Sequence, residues 1–402
     1  MAAPVMSDRP GLNLAKLGPL GTIVGLIGAG AAAAVAWSDP KASQSYLFAW
    51  FFFGMMSLGF LGFLCLHHTV RGKWGLPVMR IFEAGASPQV LIIMALAFLP
   101  VVIPVLSGKS SLYEWSHADV VANDPILQHK APYLNPVFWT IRFVLFFLIW
   151  IGISNFLAKS TAKQDETGEY SNEQRRSQIA PPGLVAFFVT ATFAATDWFM
   201  SLEPHWYSTI YGVWNVVGAG LMALSVTVLI VTTNKDREPY KGLITPKLTK
   251  DLGNLLFALT MLWGYTSLSQ YLIIWSGNIP EYTSYFVNRR LEGWQGVGLA
   301  LILGQFFIPF FALLAPRTKA VASNLAKVAG WILVMRLLDS YYMIMPSFQA
   351  SSRPTPMPQL WDFVAFIGVG GLWLMGFCLA MKSKKLIPTY DERLFEGDGH
   401  GH

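Results

Sequence analysis

Apolar residues run through this chain in ten blocks of about twenty, each long enough to cross the hydrocarbon core of a bilayer as a helix. The blocks fall near 19–37, 45–67, 88–106, 137–157, 182–200, 210–233, 252–275, 294–314, 328–345 and 360–381. Backbone groups in lipid must be satisfied within their own segment, so the blocks predict helices and not strands. The expected fold is an all-α integral membrane protein of about ten transmembrane helices, a single polytopic domain over 1–402 with a polar tail at 382–402. Arg9 and Lys16 precede the first block and "AVA" closes it, as in a secretory signal. Its apolar run exceeds a typical signal core, so it counts as a span.

The polar intervals between the blocks carry the topology. Of the 29 Lys and Arg residues, 21 fall at the N-terminus, in the loops after spans 2, 4, 6 and 8, and in the tail. The opposite loops hold six, and Arg142 and Arg336 lie inside spans. By the positive-inside rule both termini are expected in the cytoplasm, with a long connection at 107–136 and the turn "SLEPHW" on the outer face.

Ionisable residues within the apolar blocks are few, and such residues need either a partner or a task. Asp197 lies seven residues before Pro204, and Asp339 lies seven residues before Pro346, so each acid shares a helix face with a proline. Both occur on spans running in the same direction. This is the pattern of two four-helix bundles in parallel repeat, at 45–200 and 210–345, with spans 1 and 10 flanking them. Asp197 has no basic residue three or four positions away, so burial would leave it the acid most able to keep a proton at neutral pH. Arg336 and Asp339 are spaced to neutralise each other on one helix. With Glu203 and His205 they outline an outer half-channel, while His67, His68 and Glu83 outline an inner one. The two histidines point about 100° apart, so only one can face a bundle, and a solvated interfacial position is the default.

Composition narrows the classes. Charged residues make up 13% and hydrophobic residues 53% of the chain, with mean hydropathy +0.45, far from a soluble domain. The net charge of +6 is dispersed over short loops and does not predict nucleic-acid binding. Cys65 and Cys378 alone can build no disulfide framework and no cysteine-ligated cluster. Histidines at opposite faces do not predict a bis-histidine haem, and the "GDGHGH" end reads as a solvated terminus and not a metal site.

The phrases "DWFMSLEPHWYSTIYG", "LWGYTSLSQYLIIWSGNIPEY", "FFIPFFALL" and "RLLDSYYMIMPSF" resemble the second NrfD-like membrane subunit of bacterial alternative complex III. The likeness covers spans 5 to 9. It implies an NrfD-like pair of four-helix bundles plus two flanking helices, within a quinol-oxidising electron-transfer complex of the bacterial cytoplasmic (inner) membrane. Implied partners are a sister NrfD-like quinol-binding subunit, an iron–sulfur subunit and c-type cytochrome subunits, in a lipid setting. Haem c and iron–sulfur clusters then belong to those partners and quinone to the complex, with no cofactor, metal or catalytic residue assigned to this chain alone. The implied role is structural, with proton conduction through buried acids. Asp197, Glu203, His205, Arg336 and Asp339 stand inside the matching phrases, whereas His67, His68 and Glu83 lie outside them. From the residues alone, a passive anchor and a secondary transporter stay open as alternatives. So does a quinone site at the outer turn using His205 and Asp197.

Overall fold

The computed structural model describes residues 14–348, 352–382 and 384–394, and the histidines of the "GDGHGH" end lie outside the described residues. The chain is an all-α integral membrane protein of about ten helices, with no strand among the described residues. In chain order the long helices are α1 (Leu14–Ala36), α2 (Pro40–Val70), α3 (Met79–Ala97), α4 (Pro136–Thr167) and α5 (Tyr170–Trp198). They continue with α6 (Tyr211–Thr233), α7 (Pro246–Gly277), α8 (Trp294–Leu314), α9 (Ala322–Ile344) and α10 (Leu360–Lys382). Nine are long and apolar enough to cross a membrane. The other, α7, is an unbroken helix of 32 residues whose apolar stretch follows a polar first turn and a half containing Asp251.

Local chemistry fixes where these helices begin and end. Asp39, Asn135 and Thr245 each precede a proline, and each accepts a hydrogen bond from a backbone N–H of the first turn of α2, α4 or α7. Each cap satisfies an orphan donor and contributes about 1 kcal/mol. α4 ends at Gly168, whose φ of 69° a glycine adopts without strain.

The third span starts earlier than the apolar block suggests. It begins at Met79, breaks at Ala86 and Ser87, and continues through the short helix Leu99–Leu106, so that Glu83 lies within the span and not before it. Arg80 hid this start, because a charge interrupts the run although its partner lies one turn away.

α2 to α5 close a ring in which each helix packs on the next and α5 returns to α2; α6 to α9 close a second ring in the same order. The rings join mainly through α2 and α6, which are apolar on every side and buried along nearly their full length. α1 and α10 pack on each other and against α2 and α3 of the first ring. Outward faces stay apolar: Val137, Ile141, Leu145 and Leu148 form one exposed stripe on α4. One end of the molecule carries the 107–135 connection, here the connection face. The other carries residues 384–394 and is the tail face.

Two glycine contacts set the spacing of helices. A Cβ on Gly25 of α1 would stand 2.5 Å from the backbone N of Leu372 on α10, and one on Gly59 of α2 would stand 2.0 Å from the carbonyl oxygen of Ala219 on α6. Small residues let backbones approach where lipid offers no hydrophobic drive between helices. Gly59→Leu is therefore expected to force α2 and α6 apart at a cost on the order of 3 kcal/mol or more, read as a lowered melting temperature of the detergent-solubilised protein. Gly152→Leu is the control, since nothing lies within 4 Å of a Cβ there.

Candidate functional site

Near the connection face each ring buries one aspartate. Asp197, at the last turn of α5, is fully enclosed, and Arg142 of α4 grips it through Nε to Oδ2 at 2.6 Å and Nη2 to Oδ1 at 3.0 Å. This corrects the expectation of an acid without a basic partner. Arg142 comes from the neighbouring helix, at a separation no helical spacing reveals. The guanidinium also donates to the carbonyl oxygen of Tyr133 at 2.9 Å and lies over the Tyr133 ring at 3.9 Å. Trp139 and Ser201 donate to the backbone oxygen of Asp197. Both carboxylate oxygens and the carbonyl thus have donors, and a proton on Asp197 would compete with the Arg142 pairing.

The second ring solves the same problem differently. Arg336 and Asp339 pair on α9 itself, as their spacing allows, and Trp263 of α7 donates to Asp339 Oδ2 at 3.2 Å. Gly218 of α6 makes room for the guanidinium, because a Cβ there would lie 2.2 Å from Arg336 Nη2. This pair is incompletely satisfied: Asp339 Oδ1 and Arg336 Nε have no partner, although both residues are 1% exposed. Gln305 on α8 is fully buried with neither end of its amide partnered, inside a π-helical stretch at Ile302–Phe307. A widened turn of this kind re-aims a side chain and recurs at working sites.

Between the two acids stand buried phenols. Tyr113, in the connection, donates to the Trp198 carbonyl at 2.7 Å and lies within electrostatic reach of both Asp197 and Tyr211. Burial first, and then the charge of Asp197, push its ionisation well above the ordinary tyrosine range, so it acts as a neutral donor. Tyr211 in turn feels Arg289, Glu203 and Asp339. Glu203 accepts from Arg289 Nη1 at 2.8 Å and from Ser347 at 2.8 Å, closing the turn after α5 against the end of α9. His205 is exposed and pairs with Asp124 of the connection at 2.6 Å, which holds the Asp124 carboxyl below its usual range. Asp197, Glu203, Arg336 and Asp339 thus share one end of the molecule, while His205 stands apart on its rim.

A cavity of about 360 Å³ opens beside this turn, lined by Tyr133, Met200, Trp206 and Tyr207 among others. Neither Asp197 nor His205 lines it, so the pairing imagined for a quinone at this turn is not the geometry present.

At the tail face, Glu83 is buried against Arg80 at 3.0 Å and Lys384 at 3.1 Å, and Arg80 also holds Asp165 at 2.6 Å. His67 and His68 are both buried, at 3% and 5% exposure, with ring centroids 5.3 Å apart. That corrects the expectation of one solvated histidine. The 72–79 segment and residues 386–394 cover the end of α2; Gly75 lies against the His67 ring so closely that a Cβ would stand 2.0 Å from Nδ1.

Sequence reasoning missed Arg289, Arg80 and Gln305, and it noted Arg142 without giving it a partner. Only the Arg80–Glu83 spacing carried a local signal. Among the described residues no group of three or more His, Cys, Asp or Glu side chains is arranged to hold a metal ion. No family model matches the chain, and no curated protein matches it. Fold and site together define a multi-pass helical membrane protein whose two rings each enclose an arginine–aspartate pair.

The Arg142–Asp197 pair makes a stability prediction. Arg142→Gln leaves a carboxylate alone in a dry interior and is expected to cost about 3–5 kcal/mol, whereas the double change Arg142→Met with Asp197→Leu recovers most of that loss. Thermal unfolding of the wild type and both variants in one detergent checks the order.

Proposed function

We propose that the chain is a membrane subunit of a quinol-oxidising electron-transfer complex of the alternative complex III type, structural in role and conducting protons through its buried acids. In this reading it lies in the bacterial cytoplasmic membrane with both termini inside, so the connection face is outer and the tail face inner. The observation that carries it is the incompletely satisfied Arg336–Asp339 pair, buried in the ring that also buries the unpartnered Gln305 amide. A site that only needed to hold helices together would gain by saturating or deleting such groups. Unpartnered polar atoms in this number call for ordered water, and water between an acid and a phenol is the material of a proton relay.

The route follows from the neighbours. Tyr211 and Tyr342 both lie within electrostatic reach of Asp339 and Arg289, and Tyr211 of Glu203 as well, on the proposed way to the outer surface. Tyr113 lies within electrostatic reach of both Asp197 and Tyr211. Glu83 with His67 and His68 forms the inner end, where Lys384 and Arg80 keep the carboxylate charged until the cations shift. Haem c, iron–sulfur clusters and the reacting quinone are assigned to the partner subunits and the complex. Quinol oxidation there supplies the driving force, and this chain moves protons at named oxygens and nitrogens only.

A passive anchor is the second reading, favoured by the fully saturated Arg142–Asp197 pair. Both readings expect c-type haem and iron–sulfur signals to co-purify with the native chain, and their absence would leave a secondary transporter. In the purified complex, Asp339→Asn is expected to leave assembly intact while protons released per quinol oxidised fall. Unchanged proton stoichiometry and turnover in both Asp339→Asn and Asp197→Asn complexes would establish the anchor instead.

A further inference from the structure

The cavity of about 360 Å³ at the connection face opens at the level where α5 ends and α4 begins, which is the boundary of the apolar belt. On α5 the exposed residues Val185, Val189 and Phe193 form one outward stripe. Thr196 and Met200 follow at the same helical spacing and carry that stripe into the cavity wall. Phe138, exposed on the first turn of α4, packs on Tyr133 with ring centroids 6.2 Å apart, and Tyr133 lines the cavity from the connection. One side of the cavity is therefore continuous with the apolar surface that faces lipid.

The other side is cationic. Lys130, the last residue of a short helix in the connection, donates from Nζ to the carbonyl oxygen of Pro204 and lies over the Tyr207 ring at 5.8 Å. All three residues line the cavity, so the ammonium stands at its wall, and the bond to Pro204 uses one of its three donors. Burial pulls the Lys130 pKa down. Asp124 is the charge that offsets this, but its carboxylate is engaged by His205 and by the backbone N–H groups of Ile126 and Leu127. His129 adds a second nitrogen-bearing side chain to the lining, and no carboxylate lines the cavity among the described residues.

A slot that is apolar toward lipid and cationic toward water fits an amphiphile with a phosphate head. Its volume falls within the range of ligand pockets, roughly 300–1,000 Å³. Inorganic phosphate would satisfy Lys130 but leave the apolar wall wet, and a neutral chain would leave the ammonium without its countercharge. We propose that this cavity holds one phospholipid, its phosphate against Lys130 and His129 and an acyl chain descending past Met200, Thr196 and Phe193. Tyr133, Trp206 and Tyr207 are the interfacial aromatic residues that frame its glycerol region. The site is independent of proton conduction and would persist in a passive anchor.

The test uses the intact protein, in its native complex where it forms one, delipidated in a non-ionic detergent and titrated with palmitoyl-oleoyl phosphatidylglycerol. Native mass spectrometry should show one phospholipid retained at activation energies that strip the others. Lys130→Gln should raise the lipid concentration for half occupancy about tenfold, and Thr196→Trp, which fills the acyl path, should abolish retention. Lys109→Gln, on the same face but outside this cavity, should retain the lipid as the wild type does. The melting temperature should rise with the phospholipid in the wild type and not with inorganic phosphate or diacylglycerol at the same concentration. If Lys130→Gln does not fold, because Lys130 also holds Pro204, Thr196→Trp tests the site with that bond intact. No retained lipid in the wild type, retention unchanged in Lys130→Gln and Thr196→Trp, or an equal rise with inorganic phosphate or with diacylglycerol overturns the proposal.

Discussion

Every part of this structure answers to the cost of placing charge where water is absent. An ionised side chain inside an apolar ring is tolerated only with a partner of opposite sign and hydrogen bonds for what remains. The consequences gather at the connection face. Arg142 leans across from α4 to reach Asp197, Arg336 folds onto its own helix to reach Asp339, and Arg289 is drawn from the 278–293 segment to Glu203. Arg353 and Asp362 do the same between the start of α10 and the loop before it, with Ser45 of α2 accepting from the same guanidinium. Arg142–Asp197 and Arg289–Glu203 tie elements distant in sequence and, with Ser45 reaching Arg353, hold the connection face together, while Gly25 and Gly59 set how closely helices approach.

The fold was largely legible because lipid leaves so few options. Apolar runs of spanning length must be helices, and Asp, Asn or Thr before Pro marked where several begin. The matched Asp197 and Asp339 could be read from their distance to proline, since helical periodicity turns spacing into direction. What could not be read was who meets whom. Arg142 and Asp197 are 55 residues apart, and Glu203 and Arg289 are 86 apart; only packing brings them together. The histidines illustrate the other limit. Their exposure depended on coverage by residues 386–394, more than three hundred positions away, which no local pattern contains.

The same limit governs the proposed kinship with NrfD-like subunits. The phrases that suggest it contain Asp197, Glu203 and the Arg336–Asp339 pair, but Arg142 and Arg289, which hold the other two acids, lie on other segments. Phrase similarity therefore locates the acids and says little about whether they are free to exchange protons. That freedom is a property of the partner and of the hydrogen bonds left unmade.

On that criterion the two rings differ. In the first, both carboxylate oxygens of Asp197 are held by Arg142 and its backbone oxygen by Trp139 and Ser201, so a change of protonation must disturb the Arg142 pairing. In the second, one oxygen of Asp339, one nitrogen of Arg336 and the whole Gln305 amide stand open in a region where α8 is widened by a π-helical turn. A saturated network rigidifies, whereas an unsaturated one is where water enters and where small displacements cost least. If the rings descend from one repeat, their ion pairs have diverged into a fixed strut and an adjustable joint. The proposed proton movement is therefore to be sought first along α8 and α9, where the unmade hydrogen bonds lie.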